Sequence, residues 1–175
     1  NQYESPLSSR YASEYMLRRF SADMRYQTWR RLWVSLAKAE MALGLPISQA
    51  QIDEMSAHIE DIDYDCVRQR EKEVRHDVMA HVHAYGDVCP NARGIIHLGA
   101  TSCYVTDNAD ILMLRDALLL IRQKLVEVLR EAFKRDRNKT NVVGLTGLGL
   151  VEMTRKKVRR PIFPLDRDMV WKAGK

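Results

Sequence analysis

Cysteine is scarce: Cys66, Cys89 and Cys103 are the only three in 175 residues. An odd number with no close pair gives neither a disulfide framework nor a four-ligand zinc module. Glycine and proline are also few, eight and five, which excludes collagen-like or low-complexity character. No apolar run approaches the roughly 20 residues that cross a bilayer. Asn1 to Arg10 carry neither the basic start nor the apolar stretch of a secretory signal. The expectation is a soluble protein of a reducing compartment, the cytoplasm, with no membrane partner. What is present, 46% hydrophobic and 29% charged residues, is the balance of a globular domain. The net charge of +5 would suggest a polyanionic partner, but it is unevenly placed. Residues 1–133 hold 16 Lys+Arg against 19 Asp+Glu, a net of −3, and residues 134–175 hold 12 against 4, a net of +8. The basicity belongs to the end of the chain and marks a boundary near residue 138.

Helical periodicity dominates the first three quarters. Tyr26, Trp29, Leu32, Trp33, Leu36, Ala37, Ala39 and Leu43 recur at three- and four-residue steps, and Gly44 with Leu45-Pro46 supplies a stop, so one amphipathic helix spans Ser21 to Leu43. Ser48 and Gln51 have capping-box spacing and predict a short helix fading near Asp61. The acidic run from Glu60 to Asp65 reads as a turn. A charged helix with Val67, Val74 and Val78 as sparse apolar positions should follow and end at Cys89-Pro90. Asn91 to Thr106 has loop chemistry. From Asp107 to Arg137, capped by Thr106 or Asp107, Ile111, Leu114, Leu118, Ile121, Leu125, Val128 and Ala132 form an a/d seam on a helix about 46 Å long. A chain this short cannot bury that surface alone, so the seam needs partner helices from other subunits. Val142 to Leu150 reads as an extended segment or loop. Val151 to Lys175, with the basic run Arg155 to Arg160, is expected to be weakly structured.

Three clusters carry possible chemistry. In Arg75-His76-Asp77-Val78-Met79-Ala80-His81-Val82-His83, His76 and His83 are seven apart and His81 projects elsewhere, so the i, i+4 pair of zinc helices is missing and no metal is expected. Arg75 as a charged fork and His76 as a switchable donor could hold an anion, and a solvated helix start capped by Asp77 explains the same residues. In Gly94-Ile95-Ile96-His97-Leu98-Gly99-Ala100-Thr101-Ser102-Cys103, two hydroxyls beside free N–H groups suit a carboxylate or phosphate, although such residues also simply form turns. His97, between two aliphatic residues, reads as a satisfied, partly buried histidine. In Ser5-Pro6-Leu7-Ser8-Ser9-Arg10-Tyr11-Ala12-Ser13, Arg10 and Tyr11 could reach over a phosphate or merely open a helix. The basic run 155–160 lacks interleaved aromatics, so stacking on bases has no support and nucleic acid is not the expected partner.

These clusters, with Thr28-Trp29-Arg30-x-Leu32-Trp33, Ala39-Glu40, Leu43-Gly44-Leu45-Pro46-Ile47 and Tyr104-Val105 running into Asp107-Asn108, resemble the adenylosuccinate lyases of the fumarase/aspartase superfamily, animal-type most of all. The resemblance covers about residues 3 to 137. It implies a mainly α fold: an N-terminal helical lyase domain over 1–106, the start of a central helical bundle over 107–137, and a divergent basic tail over 138–175. It further implies a homotetramer without metal or organic cofactor. The implied reaction is β-elimination of fumarate from adenylosuccinate to give AMP, and from succinylaminoimidazole carboxamide ribonucleotide, in purine biosynthesis. By position, Arg10 and Tyr11 would contact the nucleotide phosphate. Arg75, His76 and Asp77 would line the nucleotide site, and Thr101 and Ser102 would hold the succinyl part.

The departures are equally specific. Where the family has a Thr-His pair supplying the general acid, Thr146 is followed here by Gly147. The later loop Ser-Ser-x-Met-Pro-x-Lys-x-Asn, which supplies the serine base, is absent. The family chain is more than twice as long. A fragment or truncated variant with no catalytic residue of its own, inactive alone, is therefore expected. The alternative is a noncatalytic helical interaction protein related to the lyase.

Overall fold

The computed structural model describes residues 5–135, 141–146 and 149–154. The chain divides into two compact units, Asn1–Ala117 and Leu118–Lys175. The first unit opens with a π-type turn at Leu7–Tyr11. Helices follow at α1 Glu14–Arg19, α2 Ala22–Ala42, α3 Gln49–Ala57, α4 Tyr64–Val74 and α5 Asp77–Val88, and then α6 begins at Ser102. The second unit holds the remainder of α6, which ends at Arg135, and a two-stranded antiparallel hairpin, β1 Asn141–Thr146 with β2 Gly149–Thr154. The hairpin covers the stretch Val142 to Leu150, expected to be an extended segment or loop, and its second strand continues through Thr154 into the part expected to be weakly structured. The basic run 155–160 lies outside the described residues.

The helix boundaries follow from backbone groups finding side-chain partners. Ser21 caps α2 by accepting from the Met24 N–H, and the helix ends at Leu43 with Gly44 at a φ of 90°, a conformation glycine adopts without a Cβ penalty. Ser48 and Gln51 form the expected capping box at α3. Asp63 caps α4.

Two expectations are corrected. The charged helix expected between Asp65 and Cys89 is two helices: Arg75 adopts a left-handed backbone with φ 52°, and His76 caps α5 by accepting from the Met79 N–H. Asp77 is thus the first residue of α5 and not its cap, and the break occurs without the glycine that normally advertises a left-handed residue. The long helix begins at Ser102 and not at Asp107. The Thr106 hydroxyl, instead of capping, donates back to the Ser102 carbonyl at 3.3 Å, the i−4 bond a threonine makes inside a helix. At 1.5 Å per residue α6 is about 50 Å long.

The core of the first unit is built on α2. Trp29, Trp33, Val34 and Ala37 pack with Ile52 and Met55 of α3, Val78 and Tyr85 of α5, and Val105 and Ala109 of α6. Arg30 is buried with them: its guanidinium donates to the His58 and Asp61 carbonyls and lies 4.2 Å from the Tyr85 ring centre. It ties the α3–α4 connection to the core.

Candidate functional site

The segment between α5 and α6 is a series of turns from Pro90 to Gly99, and its backbone is held by side chains from the helices beneath it. Glu54 of α3 accepts from the Asn91 side chain and the Ala92 N–H, both at 2.9 Å. Gln51 donates to the Asn91 carbonyl at 2.8 Å. Ala92 and Ile96 are fully buried anchors. These contacts explain how a stretch without helical periodicity keeps one conformation: its polar backbone groups have specific partners.

Helix α2 grips the end of this segment. The Trp33 indole N–H donates to His97 Nδ1 at 2.9 Å, with the two rings edge-on. Tyr104, in the first turns of α6, donates to the Leu32 carbonyl at 3.0 Å. Gly99 takes φ 65°, and a side chain there would meet Glu40 Oε1 at 3.6 Å. Glu40 Oε2 is buried without a hydrogen bond, and burial raises the carboxyl's pKa above its ordinary range. Thr101 is exposed immediately before α6, and Ser102 is its first residue, half-buried. The free N–H groups of a helix start lie there, as anion binding requires.

Arg75, His76 and Asp77 sit together at the α4–α5 break, all exposed. His76 Nδ1 accepts the Met79 N–H and lies 3.4 Å from Asp77 Oδ1. A lone pair on Nδ1 serves the first contact and a proton the second, so protonation exchanges one for the other. Arg75 has no ion-pair partner among the described residues, which leaves its five donors for a ligand. Burial lowers the His97 pKa, and the charge of nearby His76 adds to it. His76 and His97, some 20 residues apart in sequence, therefore lie near enough for the charge of one to oppose a charge on the other. His97, read from the sequence as a satisfied, partly buried histidine, is half-buried with its Nδ1 held by Trp33.

Arg10 and Tyr11 lie in the N-terminal turn, both exposed, Tyr11 by 75%. They make no side-chain hydrogen bond or ion pair with the other two clusters among the described residues. His81 is 4% exposed, its ring 3.9 Å from that of Tyr26 and 5.2 Å from that of Trp29. It is a core group. No three His, Cys, Asp or Glu side chains converge as metal ligands among the described residues.

Arg75, His76, Thr101, Ser102 and the free N–H groups at the start of α6 are donors of the kind that bind oxyanions. The fold is that of the fumarase/aspartase superfamily. The crystal structure of 3-carboxy-cis,cis-muconate lactonizing enzyme from Pseudomonas putida matches with a TM-score of 0.67 and 27% identity, over 83% of this chain and 36% of that one.

Within that class, the adenylosuccinate lyase of Saccharomyces cerevisiae is 51% identical over 137 residues, 77% of this chain and 28% of the yeast protein. That of Schistosoma mansoni is 42% identical over 134 residues, again 77% and 28%. The matched part of the chain belongs to the adenylosuccinate lyase family, and the chain spans about 28% of the length of these relatives. The likeness reaches fungal as well as animal proteins. A profile of the Ribonuclease E/G family also matches, over residues 120–158, a stretch that excludes every residue of the three clusters.

Proposed function

We propose that this chain is the N-terminal part of an adenylosuccinate lyase whose whole enzyme is a cytoplasmic carbon–nitrogen lyase of purine biosynthesis. That enzyme eliminates fumarate from adenylosuccinate to leave AMP, and from succinylaminoimidazole carboxamide ribonucleotide in the same way. The observation that carries the reading is 51% identity over 137 residues to a lyase of that name, in the part of the chain that holds Arg75–Asp77 and His97–Ser102. A substrate with one phosphate and two carboxylates needs many fixed donors. Arg10 and Tyr11 take the nucleotide phosphate, Arg75, His76 and Asp77 line the nucleotide site, and Thr101 with Ser102 holds the succinyl carboxylates. Preplaced donors of this kind stabilise the negative charge that elimination builds.

The acid and base come from segments that this sequence does not contain, since Thr146 is followed by Gly147. The purified chain is therefore expected to leave the ultraviolet absorbance of adenylosuccinate unchanged. Turnover by the chain alone would refute the claim that its catalytic pair is missing.

Along α6 the residues Ile111, Leu114, Leu118, Ile121 and Val128 are each more than half exposed. An apolar stripe of that length is expected to be covered by other copies in a tetrameric bundle. Light scattering that gives a monomer at micromolar concentration would overturn the bundle. The Gly147 departure also favours a second reading, a noncatalytic helical protein that joins lyase subunits through this seam. Mixing the chain with an intact adenylosuccinate lyase decides it: formation of mixed oligomers with reduced turnover supports this reading, and unchanged turnover with no mixed species removes it.

A further inference from the structure

His97 and Trp33 form a pair whose chemistry is fixed by which atoms can donate. An indole N–H is only a donor, so the ring nitrogen that faces it must offer a lone pair. His97 Nδ1 is that nitrogen, 2.9 Å from Trp33 Nε1. In a neutral imidazole the proton must then sit on Nε2. Nε2 makes no hydrogen bond among the described residues and is not one of the buried unpartnered atoms, so it reaches the surface. The indole cannot turn away. Trp33 is 1% exposed, with its ring against Tyr85 at 6.0 Å and Trp29 at 6.3 Å, and His97 meets it edge-on at an interplanar angle of 89°.

We propose that His97 is held as a neutral imidazole with its proton on Nε2, a fixed donor to a carboxylate or phosphate oxygen of the ligand, and that Trp33 is the positioning residue that imposes this state. Protonating Nδ1 would set N–H against N–H and forfeit the buried bond. The other titratable groups near the segment are His76, whose charge opposes a cation on His97, and Glu40, close to Gly99. Burial of the ring acts in the same direction as His76. His97 is thereby excluded from acid–base duty at neutral pH and suited to binding. The identity of the ligand rests on the lyase reading; the tautomer does not.

The test is nitrogen NMR of the imidazoles in the full ¹⁵N-labelled chain. The expected result is a protonated Nε2 and a bare Nδ1 at neutral pH, with the Trp33 indole proton coupled to Nδ1 across the hydrogen bond. No His97 imidazolium forms until the pH falls below the ordinary histidine value of about 6.5. In Trp33→Phe both tautomers appear and the titration midpoint rises toward that value, while the His76 signals stay in place. A wild-type His97 protonated on Nδ1, or an unchanged pattern in Trp33→Phe, overturns the proposal. Should that variant fail to fold, the wild-type tautomer and the indole coupling decide alone. AMP and fumarate are then added separately to the wild-type chain. A shift of the Nε2 proton with fumarate assigns it to a carboxylate and a shift with AMP to the phosphate. No shift with either, the tautomer being intact, overturns the donor's assignment to the ligand and counts against the lyase site, but leaves the Trp33–His97 lock standing.

Discussion

His81 should make the first unit lose stability as the pH falls, by an amount that can be worked from its surroundings. Its ring is 4% exposed, between Tyr26 and Trp29. Burial and, after it, the charge of Arg30 lower its pKa to about 4, only partly opposed by Asp77. In the unfolded chain the ring returns to about 6.5. The unfolded state therefore binds the proton first, and stability that is fully present above pH 6.5 drains away as the pH falls toward 4. A difference of about 2.5 units corresponds to about 3 kcal/mol, a large share of the 5–15 kcal/mol typical of a domain. Urea unfolding at pH 7, 6, 5 and 4, followed by tryptophan fluorescence, reads this directly. Carboxylates and His97 titrate in the same range, so the informative quantity is the difference between wild type and His81→Phe. The variant, which keeps a ring of similar shape without the titrating nitrogens, should lose most of that 3 kcal/mol of pH dependence. Equal slopes for the two proteins between pH 6.5 and 4, or a His81 NMR midpoint near 6.5, would refute the reasoning.

Arg30→Ala should cost about 3 kcal/mol in urea unfolding, since it removes two charge-assisted bonds to the His58 and Asp61 carbonyls and the contact with Tyr85, offset by relief of a buried charge. Ile52→Ala, at a site with no exposure, should cost about 2–5 kcal/mol by the cavity it leaves. Glu54→Ala should release the Asn91 side chain and leave the Ala92 N–H only its bond to the Cys89 carbonyl, and be seen as faster amide exchange from Asn91 onward, for a cost of about 1–3 kcal/mol. Leu114→Glu, on the exposed stripe of α6, should leave the helical circular dichroism unchanged and shift light scattering toward the monomer.

The elements that local chemistry specifies were legible. Ser21, Ser48 with Gln51, and Gly44 mark the ends of α2 and the start of α3 because a cap is a contact within four residues, visible as spacing. The break at Arg75 was not, because nothing local demands a left-handed arginine; the arrangement of α4 and α5 around Val67, Ala80 and Ala84 selects it. The start of α6 was placed five residues late because Thr106 has the composition of a cap, while the Ser102 carbonyl it bonds is visible only once the helix exists.

The sequence by itself determined the family, since strings such as Arg75-His76-Asp77 and Thr101-Ser102 carry the resemblance within their own contiguous residues. It also determined what is missing, the histidine after Thr146. Only the tertiary structure decided which histidine is buried in the core and which is held by an indole. His81 and His97 are both flanked by apolar residues, and no spacing separates them. Packing puts one between Tyr26 and Trp29, only 4% exposed, and leaves the other half-buried with Trp33 holding its Nδ1. The state of an imidazole is set by the partners around it, and those partners come from α2, some 50 or more residues away in the chain.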